Sequence, residues 1–416
     1  MVLLFEAPDA LAQDRLAFEA ELERLRRDLR IPALSAAVVE GGTTVWVRHL
    51  GFNARRGEAV PYPIASLTKP ISAVLTLQLA AAGSLKLDDV RPLLTHTSTG
   101  TPGQRFIYSS ELYQKLQPLI EKGASEPLAG ALASRVFKPA GLRNTKAPAD
   151  VTPSTGIEST VEDLGRFAIA LDRGGLLQAN ARLDMFRPPR GPTGQPLPYA
   201  LGWFVQYIGG DEIRWHFGQQ ADASSLLMML PRRRLTFIVL ARSDRLSAPF
   251  WLQMGDLRSS PIAAAFLTGW ARVRIDLAEA RRAMTQALVA LHQRRTADAT
   301  KLVSQAVGLA PALGDSADGA LLAAFARSGD AGLRAHGRRI AKRLLAVDGE
   351  HPRTLVDLAV LNLQDGHPDE AKRLIQQAMA GNRATPEIAR LAKELLDEST
   401  KAASSSVRHV EIMRAR

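Results

Sequence analysis

Residues 64–69 read Ile64-Ala65-Ser66-Leu67-Thr68-Lys69 and lead into an uncharged run, Pro70 to Gly83 (PISAVLTLQLAAAG). That run falls short of the roughly 20 apolar residues a bilayer span needs, so it predicts a helix buried in a protein core. If the helix opens near Ser66, the hydroxyl sits in the first turn at the positive end of the dipole. Lys69, three residues on, then projects from the same face. A serine hydroxyl is a weak nucleophile until a neighbouring base takes its proton, and a lysine desolvated by burial can be that base. One Ser-x-x-Lys alone is a weak signal, expected about once by chance in a chain of this length.

Upstream, residues 14–30 place Leu16, Phe18, Leu22, Leu25 and Leu29 at helical spacing, which predicts an amphipathic helix that Pro32 terminates. Ala33–Glu40 and Thr43–Leu50 read as strands joined through Gly41-Gly42, a β-hairpin. Downstream, residues 66–190 read as helix and loop, with a helix start at Thr160-Val161-Glu162-Asp163. Strands return over Leu201–Ile208, Glu212–Phe217, Ser224–Leu230 and Leu235–Ala241, the last two joined by a solvated turn at Pro231 to Arg234. Strands at both ends of a helical middle predict an α+β fold in which both ends share one antiparallel β-sheet flanked by helices. Past residue 275 strand signals give way to Ala/Leu/Arg-rich helices, so the expected division is a domain over 1–272, an all-α domain over 273–403 and a basic tail over 404–416. Small residues recur in that helical part, at Asp298-Ala299, Ala306 and Pro311 and again at Glu370-Ala371 and Ala378. Pro352 and Pro386 stand 34 residues apart, and Leu355, Leu358, Ala359, Gly366, Ala371 and Ala378 fall at packing positions of a tetratricopeptide hairpin, which the segment resembles; an irregular bundle is the alternative.

The chain has 416 residues, 46% hydrophobic and 23% charged, the composition of a folded protein rather than a disordered or collagen-like one. It contains no cysteine, which excludes disulfides, thiolate nucleophiles and Cys-ligated metals. A formal charge of +11 favours anionic partners at long range without naming one. No phosphate-binding glycine motif and no HExxH spacing occurs, so neither a cofactor nor a metal is expected. The arginine pairs Arg281-Arg282, Arg294-Arg295 and Arg338-Arg339 lack interleaved aromatics and read as solvated faces, so no nucleic acid is expected. No signal peptide is read, since only Val2 to Phe5 could form its apolar region, and no transmembrane segment is expected.

The Ser66 signal gains weight from its downstream context. Tyr108-Ser109-Ser110, after Pro102 to Phe106, precedes another helix-like run, and His216-Phe217-Gly218 ends a strand-like segment, read as an edge strand. With Leu93-Leu94-Thr95-His96-Thr97-Ser98, Ser159 to Leu164 and Leu201-Gly202-Trp203, this ordered series over residues 14–270 resembles the serine β-lactamase and penicillin-binding-protein superfamily. The likeness is to its class C β-lactamase, D-aminopeptidase/carboxypeptidase and family VIII esterase branch. It implies an acyl-Ser66 intermediate, with Lys69 and Tyr108 moving the proton as phenolate or through a shared network. It also implies an oxyanion hole from the N–H groups of Ser66 and Gln219, and substrate contacts from Ser110, His216, Gly218 and Gln219. His216 replaces the Lys of the branch's Lys-Thr-Gly and Ser110 its usual Asn, so an ester, amide or peptidoglycan-like substrate is expected above efficient β-lactam turnover. The alternative is a binding protein without turnover that engages a protein partner through its helical domain. His96 reads as structural. Family habit places such proteins in the periplasm or outside the cell, the cytoplasm being the alternative.

Overall fold

Gly41 and Gly42 both take positive φ, 60° and 84°, the backbone that a two-residue hairpin turn demands. In the computed structural model they join β1 (Ala33–Glu40) to β2 (Thr43–Gly51) as the glycine pair predicts. The structure describes residues 8–52, 59–250, 252–275, 278–293, 295–309, 319–328, 330–347, 349–380, 384 and 388–397. The chain divides into two compact units, Met1–Asp276 and Leu277–Arg416.

In the first unit, two short strands, β3 (Tyr62–Pro63) and β4 (Glu158–Ser159), pair beside the main sheet. The later strands are β5 (Phe204–Ile208), β6 (Asp211–Gln220), β7 (Ala223–Leu230) and β8 (Leu235–Ala241). The main sheet is antiparallel with order β2-β1-β8-β7-β6-β5. Its centre unites distant parts of the chain, since Ala36 of β1 pairs with Val239 of β8. Every residue of β7 and β8 is buried, because helices cover both faces of the sheet. On one face Phe18 of α1 (Pro8–Asp28) packs its ring 5.7 Å from Phe237 and 5.9 Å from Phe266. Burying such a ring stabilises the fold by about 1.5–3 kcal/mol. On the other face the helix Val161–Asp172 brings Gly165 so near β1 that a Cβ there would touch Val39. Thr160 caps that helix by accepting the Asp163 N–H, as its sequence predicts.

Three details differ from expectation. Leu16 is exposed, because it lies two residues, or about 200° of helix, from the face that Phe18, Leu22, Leu25 and Leu29 bury. Arg233 is exposed on its turn as expected but has partners the sequence did not show: its guanidinium grips Asp211 at 2.8 Å and donates to the Ala271 carbonyl, anchoring the β7–β8 turn. The His216-Phe217-Gly218 segment does not end its strand, which runs on to Gln220, nor is β6 the outermost strand. β5 pairs only with Asp211 to Trp215, however, so β6 beyond Trp215 has no strand beside it on that side.

The apolar run forms α2 (Thr68–Ala81), which is buried at Thr68 through Leu77 and at Leu79. Among the described residues no helix is long and apolar enough to cross a membrane. Two further short helices carry site phrases, α3 (Leu87–Leu94) before His96 and α4 (Ser110–Gln114) after Tyr108.

The second unit is helical in its described residues, with helices Ala278–His292, Thr296–Leu309, Gly319–Ala326, Ala331–Val347, Pro352–Gln364 and Pro368–Met379. Leu355, Ala359, Ala371 and Ala378 are buried, and Gly366, at φ 79°, turns the chain between Pro352–Gln364 and Pro368–Met379. Pro311, Pro386 and the tail 404–416 lie outside the described residues, while residues 388–397, just past Pro386, are helical, and the described part does not establish a tetratricopeptide repeat.

Candidate active site

Ser66 sits on a tight turn that the chain reaches at some cost. Ala65 takes a left-handed φ of 46°, a region that costs a residue with a Cβ of order 1 kcal/mol or more. Ala65–Leu67 then forms a single 3-10 turn that runs into α2. Ser225 of β7 donates to the Ile64 carbonyl at 2.8 Å and holds this turn against the sheet. Ser66 itself keeps partial exposure while its neighbours Ala65 and Leu67 are buried.

Lys69 is fully buried, and its Nζ lies 2.8 Å from Ser66 Oγ, 2.9 Å from Ser110 Oγ and 3.5 Å from the Ser154 carbonyl. None of these partners is charged. Burial therefore pushes the amine well below its ordinary range, toward the neutral form. A neutral amine has two N–H donors and one lone pair, which matches this set. As an ammonium Nζ would donate to all three oxygens, whereas a neutral amine would donate to two and turn its lone pair to the Ser66 hydroxyl.

The Tyr108 ring centroid is 4.8 Å from Lys69 Nζ. Its hydroxyl is buried without a well-aligned hydrogen bond, and burial pushes the phenol up, an effect the adjacent Ser66 hydroxyl partly offsets. The amine is pushed down and the phenol up, so burial disfavours the ammonium and the phenolate alike.

His96 supports this arrangement from behind. Its Nδ1 accepts the Ser109 N–H at 3.2 Å, and its ring packs 4.5 Å from Tyr108 and 4.7 Å from Tyr199. It thus fixes the segment just after Tyr108, in keeping with a structural part.

His216 joins the same cluster, its ring centroid 6.2 Å from that of Tyr108, but it is fully buried and both nitrogens are occupied. Nδ1 lies 2.6 Å from the Phe217 carbonyl and Nε2 2.7 Å from Tyr199 Oη. It faces the site residues rather than open solvent, unlike the substrate contact expected of it. Gly218 also has a nearer reason than substrate approach. A Cβ there would lie 2.2 Å from the Ile64 carbonyl and 2.3 Å from Ser225 Oγ, so the glycine lets β6 press against the turn that carries Ser66. Gln219 comes next, half-buried, in register with Ser224.

The fold therefore gathers Ser66, Lys69, Tyr108 and Ser110 around one amine, with His216 and Gly218 packed behind them. Sequence reasoning missed Ser154, which supplies a carbonyl to Lys69, and Gln114, which donates to Ser154 Oγ at 3.2 Å. It missed Tyr113, whose hydroxyl donates to the Lys69 carbonyl, and Tyr199. Tyr199 stands two residues before Leu201-Gly202-Trp203, a signal within reach.

A family model described as Beta-lactamase matches residues 18–90 and 89–250. No curated protein matches the chain. Among solved structures, an octameric penicillin-binding protein homologue from Pyrococcus abyssi is 16% identical with a TM-score of 0.56, covering 65% of this chain and 81% of that one. A D-stereospecific amidohydrolase from Streptomyces sp. is 20% identical with a TM-score of 0.52, covering 62% and 99%. A D-amino acid amidase from Ochrobactrum anthropi SV3 is 16% identical, also at 0.52, covering 62% and 99%. At these identities the likeness is one of fold.

Proposed function

This chain belongs to the beta-lactamase family, and from that footing we propose that it is a serine hydrolase cleaving ester or amide bonds through an acyl-Ser66 intermediate. The observation that carries the reading is the buried, charge-free setting of Lys69 Nζ at 2.8 Å from Ser66 Oγ. Ser66 Oγ attacks the carbonyl carbon as its proton passes to the Lys69 lone pair. The tetrahedral oxyanion collapses when the leaving group departs with a proton from the Tyr108 and Lys69 pair, and the Ser66 ester remains. Water then attacks that ester, giving its proton to the same pair, and Ser66 leaves reprotonated. The N–H groups of Ser66 and Gln219 are the proposed oxyanion donors, supported by the packing of Gly218 on the Ile64–Ala65 backbone. Two of the structural neighbours are named for amide hydrolysis, which agrees with this reading.

The test is hydrolysis of a short-chain nitrophenyl ester together with labelling by a fluorophosphonate. Wild type should turn over the ester and carry the label on Ser66, with Ser66→Ala slower by about a thousandfold or more. Equal behaviour of the two proteins would overturn the proposal.

A further inference from the structure

The register of the sheet fixes which way each peptide of β6 points. Gly209 and Gly210 make a two-residue turn, so Ile208 and Asp211 form a hydrogen-bonded pair. Alternation then sends the N–H and C=O groups of Trp215, Phe217 and Gln219 toward the β5 side. The hairpin of β6 and β7, closed by Gln220 and Ala223, gives the same phase and turns the backbone groups of Gly218 toward Ser225 of β7. Past Trp215 β6 has no strand on the β5 side, so the Gln219 N–H points to an open edge, next to the turn that carries Ser66 and that Gly218 packs against. The Gly218 carbonyl, at the other end of the same trans peptide, points the opposite way.

That carbonyl has a side-chain partner. Ser247, fully buried in the segment after β8, donates its Oγ–H to it at 3.1 Å. The segment is tied to β7, since the Leu246 N–H donates to Ser224 Oγ at 3.1 Å and Ser224 Oγ donates to the Ser243 carbonyl. The backbone of Ser247 is committed too, its N–H donating to the Asp244 carbonyl and its own carbonyl accepting the Phe250 N–H. Ser224 and Ser225 point to opposite faces of β7, and Ser225 holds the Ile64 carbonyl. The Gly218–Gln219 peptide is thus gripped by the turn that carries Ser66 on one face and by the Ser247 segment on the other. A hydrogen bond accepted by a carbonyl also polarises its peptide and strengthens the N–H at the far end as a donor.

We propose that Ser247 is a positioning residue, its hydroxyl aiming and polarising the Gly218–Gln219 peptide so that the Gln219 N–H meets the oxyanion formed at Ser66. This rests on the serine-hydrolase reading, in which that N–H is one of two oxyanion donors. Ser247 touches no reacting atom and acts through the peptide alone. An oxyanion forms twice in each turnover, when Ser66 attacks the substrate and when water attacks the acyl ester. A weakened donor therefore slows both steps by a similar factor, so kcat falls while KM, which depends on their ratio, stays. Removing the hydroxyl leaves the pairing of Gly218 with Ser225 in the sheet, so the strand itself is kept.

The experiment measures kcat and KM for p-nitrophenyl butyrate on the full chain, per active site counted by fluorophosphonate labelling of Ser66. Ser247→Ala should lower kcat by about tenfold and keep KM within about twofold of wild type. Ser247→Cys, a weaker donor of similar size, should fall between the two. Should Ser247→Ala not fold, Ser247→Cys decides by the same split of kcat against KM. A hydroxyl with a merely structural part would lower the number of labelled sites and leave kcat per site unchanged, and that result overturns the inference. A raised KM at unchanged kcat overturns it equally. An active wild type that both variants match per site removes this inference and leaves the hydrolase reading intact. If wild type neither hydrolyses the ester nor takes the label, the hydrolase reading fails and this inference falls with it.

Discussion

Lys69 carries two predictions of opposite sign because it is buried where an ammonium is poorly tolerated. In the unfolded chain it titrates near 10.5, whereas in the fold burial holds it well below that. Between those values the unfolded state binds more protons, so stability is greatest above the unfolded pKa and declines as pH falls toward the folded one. Activity follows the same direction, since protonating the amine removes the lone pair facing Ser66. Lys69→Met should therefore cut kcat/KM by about a thousandfold while flattening the stability loss from alkaline to neutral pH. Urea unfolding at several pH values, beside ester kinetics, checks both. A wild-type stability independent of pH over that range would contradict the buried neutral amine. The phenol of Tyr108, pushed up, gives no acid limb of its own, so the acid-side loss of kcat/KM belongs to Lys69.

At the scale of elements, the site depends on β6 lying against the turn that carries Ser66. Gly218 is the point of contact, and a methyl there would meet the Ile64 carbonyl and Ser225 Oγ, both backbone-anchored parts of the sheet–turn junction. Gly218→Ala should cost about 1–3 kcal/mol of stability and slow fluorophosphonate labelling by more than the stability loss explains, because the clash displaces the nucleophile turn itself. Thermal unfolding and labelling rate measured on one preparation separate the two; an unshifted labelling rate would contradict this packing. The same junction shows what the sequence could reveal. The spacing of Ser66 and Lys69 is local, and so is the Gly41-Gly42 turn, and both could be read directly. The reason for Gly218 lies in residue 64, far away in the chain, and single-residue patterns carry no such information. The partners of Arg233 and the exposure of Leu16 escaped for the same reason, since nothing local shows that Asp211 folds beside a triple arginine, and a leucine looks buried until the helix face is fixed. Tyr199 bonds His216 across 17 positions, and its neighbourhood to a familiar phrase was the one local trace of it.

At the scale of the molecule, each unit carries its own buried polar centre. In the first unit the contacts of Ser66 and Lys69 run to Ser110, Tyr113 and Ser154, all between residues 1 and 276. In the second, Asp357 is fully buried and accepts from Arg327 Nη1 at 2.6 Å and from Arg353 Nε at 3.1 Å, joining the helices Gly319–Ala326 and Pro352–Gln364. Removing the charge of Asp357 takes from both arginines the buried anion they share, and truncating a buried ion pair costs about 3–5 kcal/mol. Asp357→Asn should therefore lower the unfolding transition of the helical unit by several degrees while Ser66 labelling at ambient temperature keeps its wild-type rate. Circular dichroism on heating tracks the helices and the probe tracks the nucleophile. Labelling that fell in step with helix loss would show that the integrity of Ser66 depends on the helical unit, a dependence that the contacts of Ser66 and Lys69 within the first unit do not supply.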